Sequence, residues 1–287
     1  MREFDVPVAG GDLRVVEWPG DGPVVLAAHG ITANALSWAR VAGLLGGRVR
    51  LVAPDLRGRA RSNGLPGPYG MAAHAADLIA VAGRLGLDRV PLVGHSMGGF
   101  VVASTAAAYP DRISSVLLVD GGVPLTVPPG LDVDALLRAV IGPAMQRLSM
   151  TFPDARSYLD FFRGHPALGP DWGPAVEEYV LRDLAGEPPE LRSSCALEAI
   201  RGDATDTLIT DETVQAVRRL TCPARLMWAA RGMMNEDQGL YDESRLSTLD
   251  PAIAVERVDG VNHYTILLAD AGARRVADRI VEQACAL

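Results

Sequence analysis

Val93-Gly94-His95-Ser96-Met97-Gly98-Gly99 sets a serine between two glycines, directly after the apolar run Val90-Pro91-Leu92-Val93 and before a helix-like run from Phe100 to Tyr109. This is the sequence form of a sharp strand-to-helix turn, with Ser96 at its apex on strained backbone angles that push the hydroxyl into a pocket. Glycines two residues before and two after let the turn approach neighbouring backbone without a Cβ in the way. At average usage, Gly-x-Ser-x-Gly arises by chance on the order of 0.1 times in a chain of this length. The strand before and the helix after therefore carry as much weight as the motif. Ser96 reads as a nucleophile.

On either side of this turn, strand and helix signals alternate. Residues 2–8 and 12–18 are strand-like runs joined by Ala9-Gly10-Gly11, a hairpin signal. Pro23–Ala28 is a continuous apolar run of the kind that a buried parallel strand requires, and Val49–Ala53 and Ile113–Val119 read as further strands, the second of them buried. Helix-like stretches cover 34–45 and 71–85, the second with Ala72, Ala76, Ile79 and Gly83 at recurring spacing. This rhythm predicts an α/β protein with a doubly wound, mostly parallel sheet. After Asp120 it breaks. Residues 121–218 offer no convincing buried strand but helix-like pieces at 133–148, 155–163, 174–184 and 212–220, divided by Pro/Gly punctuation. Strands return at 224–229 and 253–258, and a last helix covers about 271–284. The expected organisation is a core of residues 1–120 and 219–287, with 121–218 inserted as a helical cap over the carboxyl end of the sheet.

Composition excludes several function classes. The 287 residues are 48% hydrophobic and 22% charged, as in a soluble globular protein. No window approaches 18 uninterrupted apolar residues, so no membrane partner is expected. The start, Met1-Arg2-Glu3-Phe4-Asp5, lacks a secretory pattern. Cys195, Cys222 and Cys285 are scattered and odd in number, which suits a reducing, cytoplasmic setting. A net charge of −8 argues against a nucleic-acid partner. The chain has no lysine at all, which removes Schiff-base chemistry, pyridoxal-phosphate enzymes and any P-loop. No metal-ligand spacing or dinucleotide fingerprint is present, and no cofactor is expected.

Four blocks, in order, resemble the α/β-hydrolase superfamily across essentially the whole chain. His29-Gly30 follows the first buried strand like that family's oxyanion-loop signature. Asp55-Leu56-Arg57-Gly58-Arg59-Ala60-Arg61-Ser62 resembles its Asp-x-Arg-Gly-x-Gly-x-Ser loop, with Ala60 for the second glycine. Gly94–Gly99 is similar to its nucleophile elbow, and Gly260-Val261-Asn262-His263 follows the last strand where the family keeps its catalytic histidine.

A serine hydroxyl needs a base near neutral pH, and His263 is the histidine so placed. It would take the Ser96 proton and return it to the leaving group. His95 flanks the nucleophile and is expected to point away; His29 is read as shaping its loop and His74 as structural. The resemblance and the mechanics assign the oxyanion donors to the backbone N–H groups of Ile31 and Met97. The family's usual acid position, in Arg231-Gly232-Met233-Met234-Asn235-Glu236-Asp237, holds Asn235, an amide that cannot stabilise imidazolium. Two carboxylates remain open for the role: Asp120, ending the strand after the nucleophile helix, and Glu236, one residue from the usual slot.

Six of the fifteen aromatics fall between Phe152 and Tyr179, as either a pocket lining or the small core of a cap. Trp38, Phe162 and His165 are the candidate pocket residues, and Phe100 beside the elbow is another. Arg57, Arg59 and Arg61 read as a solvated or ion-paired loop before an anion site. Together these expectations describe a hydrolase of a small to medium neutral carboxylic ester or lactone, acting through an acyl-Ser96 intermediate. Carbon–carbon bond hydrolysis, cofactor-free perhydrolysis and a non-catalytic ligand-binding role stay open, because fold-level analogy does not separate them.

Overall fold

Alternation within the apolar runs builds the sheet. In Val24–Ala28, Val25 and Ala27 join one hydrophobic cluster while Leu26 and Ala28 join a second on the opposite face. In Ile113–Val119, Leu117 and Val119 face the first cluster, and Ile113, Val116 and Leu118 the second. A strand buried on both faces has no polar side to show, so its sequence is dominated by apolar residues, with Ser114 and Ser115 the small exceptions in Ile113–Val119. Each such Val or Leu contributes about 1.5–3 kcal/mol when fully buried.

The computed structural model describes residues 1–124, 135, 142 and 146–285. Its strands are β1 (Arg2–Val8), β2 (Gly11–Trp18), β3 (Val24–Ala28), β4 (Arg50–Pro54), β5 (Val90–His95), β6 (Ile113–Val119), β7 (Leu184–Ala185), β8 (Arg192–Ser193), β9 (Ala224–Arg231) and β10 (Ile253–Asn262). Eight of them form one sheet in the order β1-β2-β4-β3-β5-β6-β9-β10. β2 pairs antiparallel with β1 and β4, and the remaining pairs are parallel. The chain winds from β3 to β4 on one side and returns to β5 on the other. The carboxyl ends of β3 and β5 therefore open side by side at the point where the winding reverses, where α/β sheets place their sites.

Helices α1 (Ala39–Leu45), α2 (Met71–Arg84) and α3 (Met97–Ala108) lie where the sequence signals put them. The buried face of α2 differs from the expected one. Met71, His74, Ala75, Asp77, Leu78, Val81 and Ala82 face inward, whereas Ala72, Ala76 and Gly83 are exposed. Alanines on every side of α2 leave little contrast for a periodic reading, and two of its buried residues are ionisable.

Beyond β6, helices occur at Ala155–Arg163 and Pro174–Arg182 as expected. The 212–220 piece is a short helix, Asp211–Val214, followed by a 3₁₀ turn, Ala216–Arg219. The 133–148 piece lies largely outside the described residues. A helix at Leu197–Leu208 and the small antiparallel pair β7–β8 had no counterpart in the sequence reading. Polar anchors fix this segment to the sheet. Arg182 reaches both Asp55 and Glu3, and Asn34 Nδ2 donates to the Tyr179 carbonyl at 2.9 Å. Among the described residues, no helix is long and apolar enough to cross a membrane.

Candidate active site

β5 ends at His95 and α3 begins at Met97, so Ser96 alone makes the turn, with φ 56° and ψ −123°. A non-glycine residue held there costs on the order of 1–3 kcal/mol, which the surroundings must offset. The Ser96 N–H donates to the Val119 carbonyl at 3.0 Å, and the Ser96 carbonyl accepts from Gly99 N–H at 2.9 Å. The flanking glycines are required by space. A Cβ on Gly94 would stand 2.0 Å from the Gly98 carbonyl oxygen, and one on Gly98 2.1 Å from that of Ala28. Gly121, which the sequence reading did not single out, belongs to the same cradle, since its Cβ would meet the Ser96 carbonyl oxygen at 2.0 Å.

Asp120 follows β6 and is fully buried with φ 46°, a left-handed angle that aspartate tolerates better than most residues. Its N–H donates to the Met227 carbonyl at 2.7 Å, and its Oδ1 accepts from Ala229 N–H at 3.0 Å. Both partners lie on β9, the neighbour of β6. Thus locked, Oδ2 sits 2.6 Å from Nδ1 of His263, just past the end of β10. A carboxylate oxygen only accepts, so Nδ1 carries the proton and Nε2 keeps its lone pair.

Glu236 is not brought to His263: it is exposed and accepts from Met234 N–H at 2.8 Å within its own loop. Asn235, at φ 67°, accepts through Oδ1 from Arg231 Nε at 2.9 Å and from Asn262 Nδ2 at 3.2 Å. Its amide closes this loop onto the residue preceding His263.

The segment after β3 is fixed by a histidine. Leu56 N–H donates to His29 Nε2 at 2.9 Å, so the ring proton lies on Nδ1, which donates to the Gly30 carbonyl at 2.8 Å. Complete burial pushes His29 down to about 3, keeping it neutral. The peptide whose oxygen it holds is the one whose N–H belongs to Ile31. Arg59 adds a second tie, from Nε to the Ile31 carbonyl at 2.9 Å, and pairs with buried Asp203, which also meets His74 Nε2 at 2.9 Å. Arg57 forks onto Asp77 at 2.9 and 2.8 Å. Two of the three loop arginines are thus buried and internally paired, and Arg61 is exposed. Ala60 has φ 43°, which explains the glycine in the related loop pattern.

These groups surround a cavity of about 100 Å³, lined by Ile31, Ser96, Met97, Asp120 and His263 among others. One wall belongs to the first hydrophobic cluster, with Ala33, Tyr179, Tyr264, Leu267 and Leu268. The other comes from the second cluster and the helix at Leu197–Leu208, with Phe100, Ala204, Leu208, Met233 and Leu240.

Three expected pocket residues are not in the lining. Trp38 is fully buried in the first cluster, and Phe162 packs edge-on against Tyr158 and Phe161 with Arg147 over its ring. His165 contacts the edge of Tyr264 and accepts from Ala167 N–H. His95 also differs from expectation. It lines the cavity, its Nε2 donates to the His263 carbonyl at 2.8 Å, and the two rings lie 4.7 Å apart. Burial, reinforced by His263, holds His95 well below the usual imidazole range.

A family model described as alpha/beta hydrolase fold matches residues 23–267. An uncharacterized protein of Mycobacterium tuberculosis is 35% identical over 147 residues, 47% of this chain and 43% of that protein. The chain therefore spans less than half of that relative's length. N-formylmaleamate deformylase of Pseudomonas putida is 30% identical over 274 residues, covering 89% of this chain and 90% of the deformylase. The crystal structure of E-2-(acetamidomethylene)succinate hydrolase is similar with a TM-score of 0.78 over 98% of each chain, at 24% identity, a likeness of fold.

Proposed function

The chain belongs to the alpha/beta hydrolase fold family, and from that premise we propose that it is a serine hydrolase of small to medium neutral carboxylic esters or lactones. The observation that carries this reading is the 2.6 Å contact between Asp120 and His263. It supplies a carboxylate where the usual position offers only Asn235, and so weighs against a binding protein without turnover. In the proposed reaction, His263 Nε2 takes the Ser96 proton as Oγ attacks the substrate carbonyl. Ile31 and Met97 N–H groups receive the oxyanion, with the Ile31 peptide held in plane by His29. Collapse expels the alcohol, protonated by His263, and water releases the acid from Ser96 by the same steps.

Among the described lining residues there is no arginine, which supports a neutral substrate over an anionic one. The reading treats 121–218 as a cap that supplies one end of the cavity, through Tyr179 and the helix at Leu197–Leu208. The three free cysteines support a reducing, cytoplasmic setting. Amide hydrolysis is a second reading, favoured by the 30% identity with a deformylase.

A chain-length series of p-nitrophenyl esters and the matching anilides tests both, alongside a fluorophosphonate label located by mass spectrometry. The expected result is ester turnover, label on Ser96, and loss of both in Ser96→Ala. Burst release of nitrophenol from folded Ser96→Ala would remove the assignment, and faster anilide than ester cleavage would promote the amide reading.

A further inference from the structure

The cavity is lined by a buried hydroxyl whose hydrogen bond goes nowhere, with two tyrosines in the same lining. Ser37 lies in the 3₁₀ turn Ala35–Trp38, is 4% exposed, lines the cavity, and its Oγ has no partner among the described residues. Tyr179 is 9% exposed and also lines the cavity. Tyr264 lines the cavity too, its ring centroid 5.4 Å from that of His263.

The arrangement is built. Asn34 caps the turn by accepting from Leu36 N–H at 3.0 Å, and donates through Nδ2 to the Tyr179 carbonyl at 2.9 Å. One side chain thereby holds the Ser37 turn against the Tyr179 helix. Among the described residues Ser104, Ser114 and Ser115 also carry unpaired buried hydroxyls, but none of them lines the cavity, whereas Tyr241 is satisfied by the Val123 carbonyl at 2.9 Å and Tyr158 by Asp183. More than nine in ten buried polar groups find partners, and the unpaired Ser37 hydroxyl faces a cavity where a ligand atom can supply one.

Resting on the hydrolase reading, we propose that Ser37, Tyr179 and Tyr264 form a subsite for an uncharged oxygen of the substrate, a hydroxyl or carbonyl set apart from the scissile carbonyl. Three hydroxyls donate to a carbonyl, or both donate to and accept from a hydroxyl. Burial pushes both tyrosines above the usual phenol range, so they remain donors at neutral pH. Nothing in these three residues calls for an anion, since Arg147, whose charge reaches both tyrosines, is already paired with Asp183. The opposite wall, with Phe100, Leu208 and Leu240, takes the apolar part. The substrate is therefore a polar-headed ester with the oxygen on one arm and hydrocarbon on the other.

The test compares p-nitrophenyl hexanoate with its β-hydroxy, δ-oxo and terminal-carboxylate derivatives. A second series carries the oxygen in the alcohol arm, as hexanoate esters of alkanediols against alkanols, followed by titration of released acid. In one arm, the neutral oxygenated ester should exceed the plain ester by roughly tenfold in kcat/KM, the size of a well-made hydrogen bond in a desolvated site. The carboxylate should be the poorest substrate of its series.

Ser37→Ala should cancel the preference from both ends, losing rate on the oxygenated ester and gaining on the plain one, which no longer faces an unpaired hydroxyl. Tyr179→Phe, which keeps the ring, should reduce the preference in the same sense. Equal rates within both arms, preference for the carboxylate, or parallel losses on all esters in the variants would overturn the subsite. Absence of all ester turnover with no label on Ser96 would instead overturn the hydrolase reading beneath it.

Discussion

Replacing Asp120 with asparagine keeps size and shape and changes one thing, which atom faces His263. The geometry fixes the outcome. Oδ1 accepts the Ala229 N–H at 3.0 Å, and an amide keeps that bond only by placing its oxygen there. Its NH₂ then takes the position of Oδ2, 2.6 Å from His263 Nδ1. An NH₂ group donates, so Nδ1 must become the acceptor and the ring proton must move to Nε2. That tautomer has no lone pair for the Ser96 proton, and no carboxylate remains to stabilise the imidazolium. The same change in a serine protease triad lowers turnover by about 10⁴, or roughly 5.4 kcal/mol in barrier height. A loss of 10³ to 10⁴ in kcat is expected here, with KM little changed.

The assay is steady-state hydrolysis of the best p-nitrophenyl ester, with thermal unfolding of each variant to show that the fold is intact. Glu236→Gln runs beside it, because Glu236 is the other carboxylate near the family's usual acid position. It should stay within about twofold of the parent, since its oxygen serves only the Met234 N–H in an exposed loop. Loss below tenfold in folded Asp120→Asn would refute the assignment of the acid. A large loss in Glu236→Gln with little in Asp120→Asn would move the role to Glu236 and imply a loop rearrangement on substrate binding.

Two further outcomes follow from the same contacts. Gly121→Ala puts a Cβ 2.0 Å from the Ser96 carbonyl oxygen and 2.5 Å from its Cα, so the elbow must shift. Overpacking of this kind costs about 1–3 kcal/mol, and a displaced nucleophile about 10² in kcat; a variant with parental melting temperature and turnover would refute the spatial argument. His29 titrates near 3 in the fold against an ordinary value of 6.5, so between these values the unfolded chain binds the additional proton. Its contribution to stability is fully present above about pH 6.5 and is lost as the pH falls toward 3. Denaturant unfolding of His29→Gln between about pH 4 and 6 should show a pH slope shallower by about 1.4 kcal/mol per unit. Parallel slopes would place the His29 proton elsewhere.

The sheet and the elbow were legible because both rest on local chemistry. Apolar runs such as Val24–Ala28 have no exposed face, and Gly94, Ser96 and Gly98 answer backbone approaches within one turn of chain. The helix at Leu197–Leu208 was not legible, because part of its buried face is ionic. Asp203 occupies a core position only because Arg59 pairs with it and His74 bonds it, both far away in sequence. Read alone, an aspartate in Arg201-Gly202-Asp203-Ala204 belongs to a solvated turn. The pocket residues failed for a related reason. Trp38 and Phe162 are aromatic and close in sequence to the right segments, but their rings complete cores, while the less conspicuous Ser37 and the tyrosine after His263 face the cavity.

The carboxylate that meets His263 is the case where sequence position and geometry separate. A carboxylate serves His263 if it reaches Nδ1 from a rigid element, and the sheet provides two such elements side by side. β6 and β9 are neighbours, so a residue leaving the end of either strand lies close to the loop after β10. After β9 the chain carries Asn235, whose amide bonds both Arg231 and Asn262, a pairing that holds the loop beside the histidine. After β6 it carries Asp120, which has a left-handed φ and whose Oδ1 is pinned on Ala229 of β9 while Oδ2 meets the imidazole. The backbone N–H of one strand thus orients the carboxylate supplied from the end of the other. Moving the carboxylate from β9 to β6 requires no change in the position of His263, only a residue that tolerates φ 46° and glycine at 121 to make room for Ser96. Both conditions are met in Val119-Asp120-Gly121, a tripeptide whose meaning emerges only when β9 lies beside it.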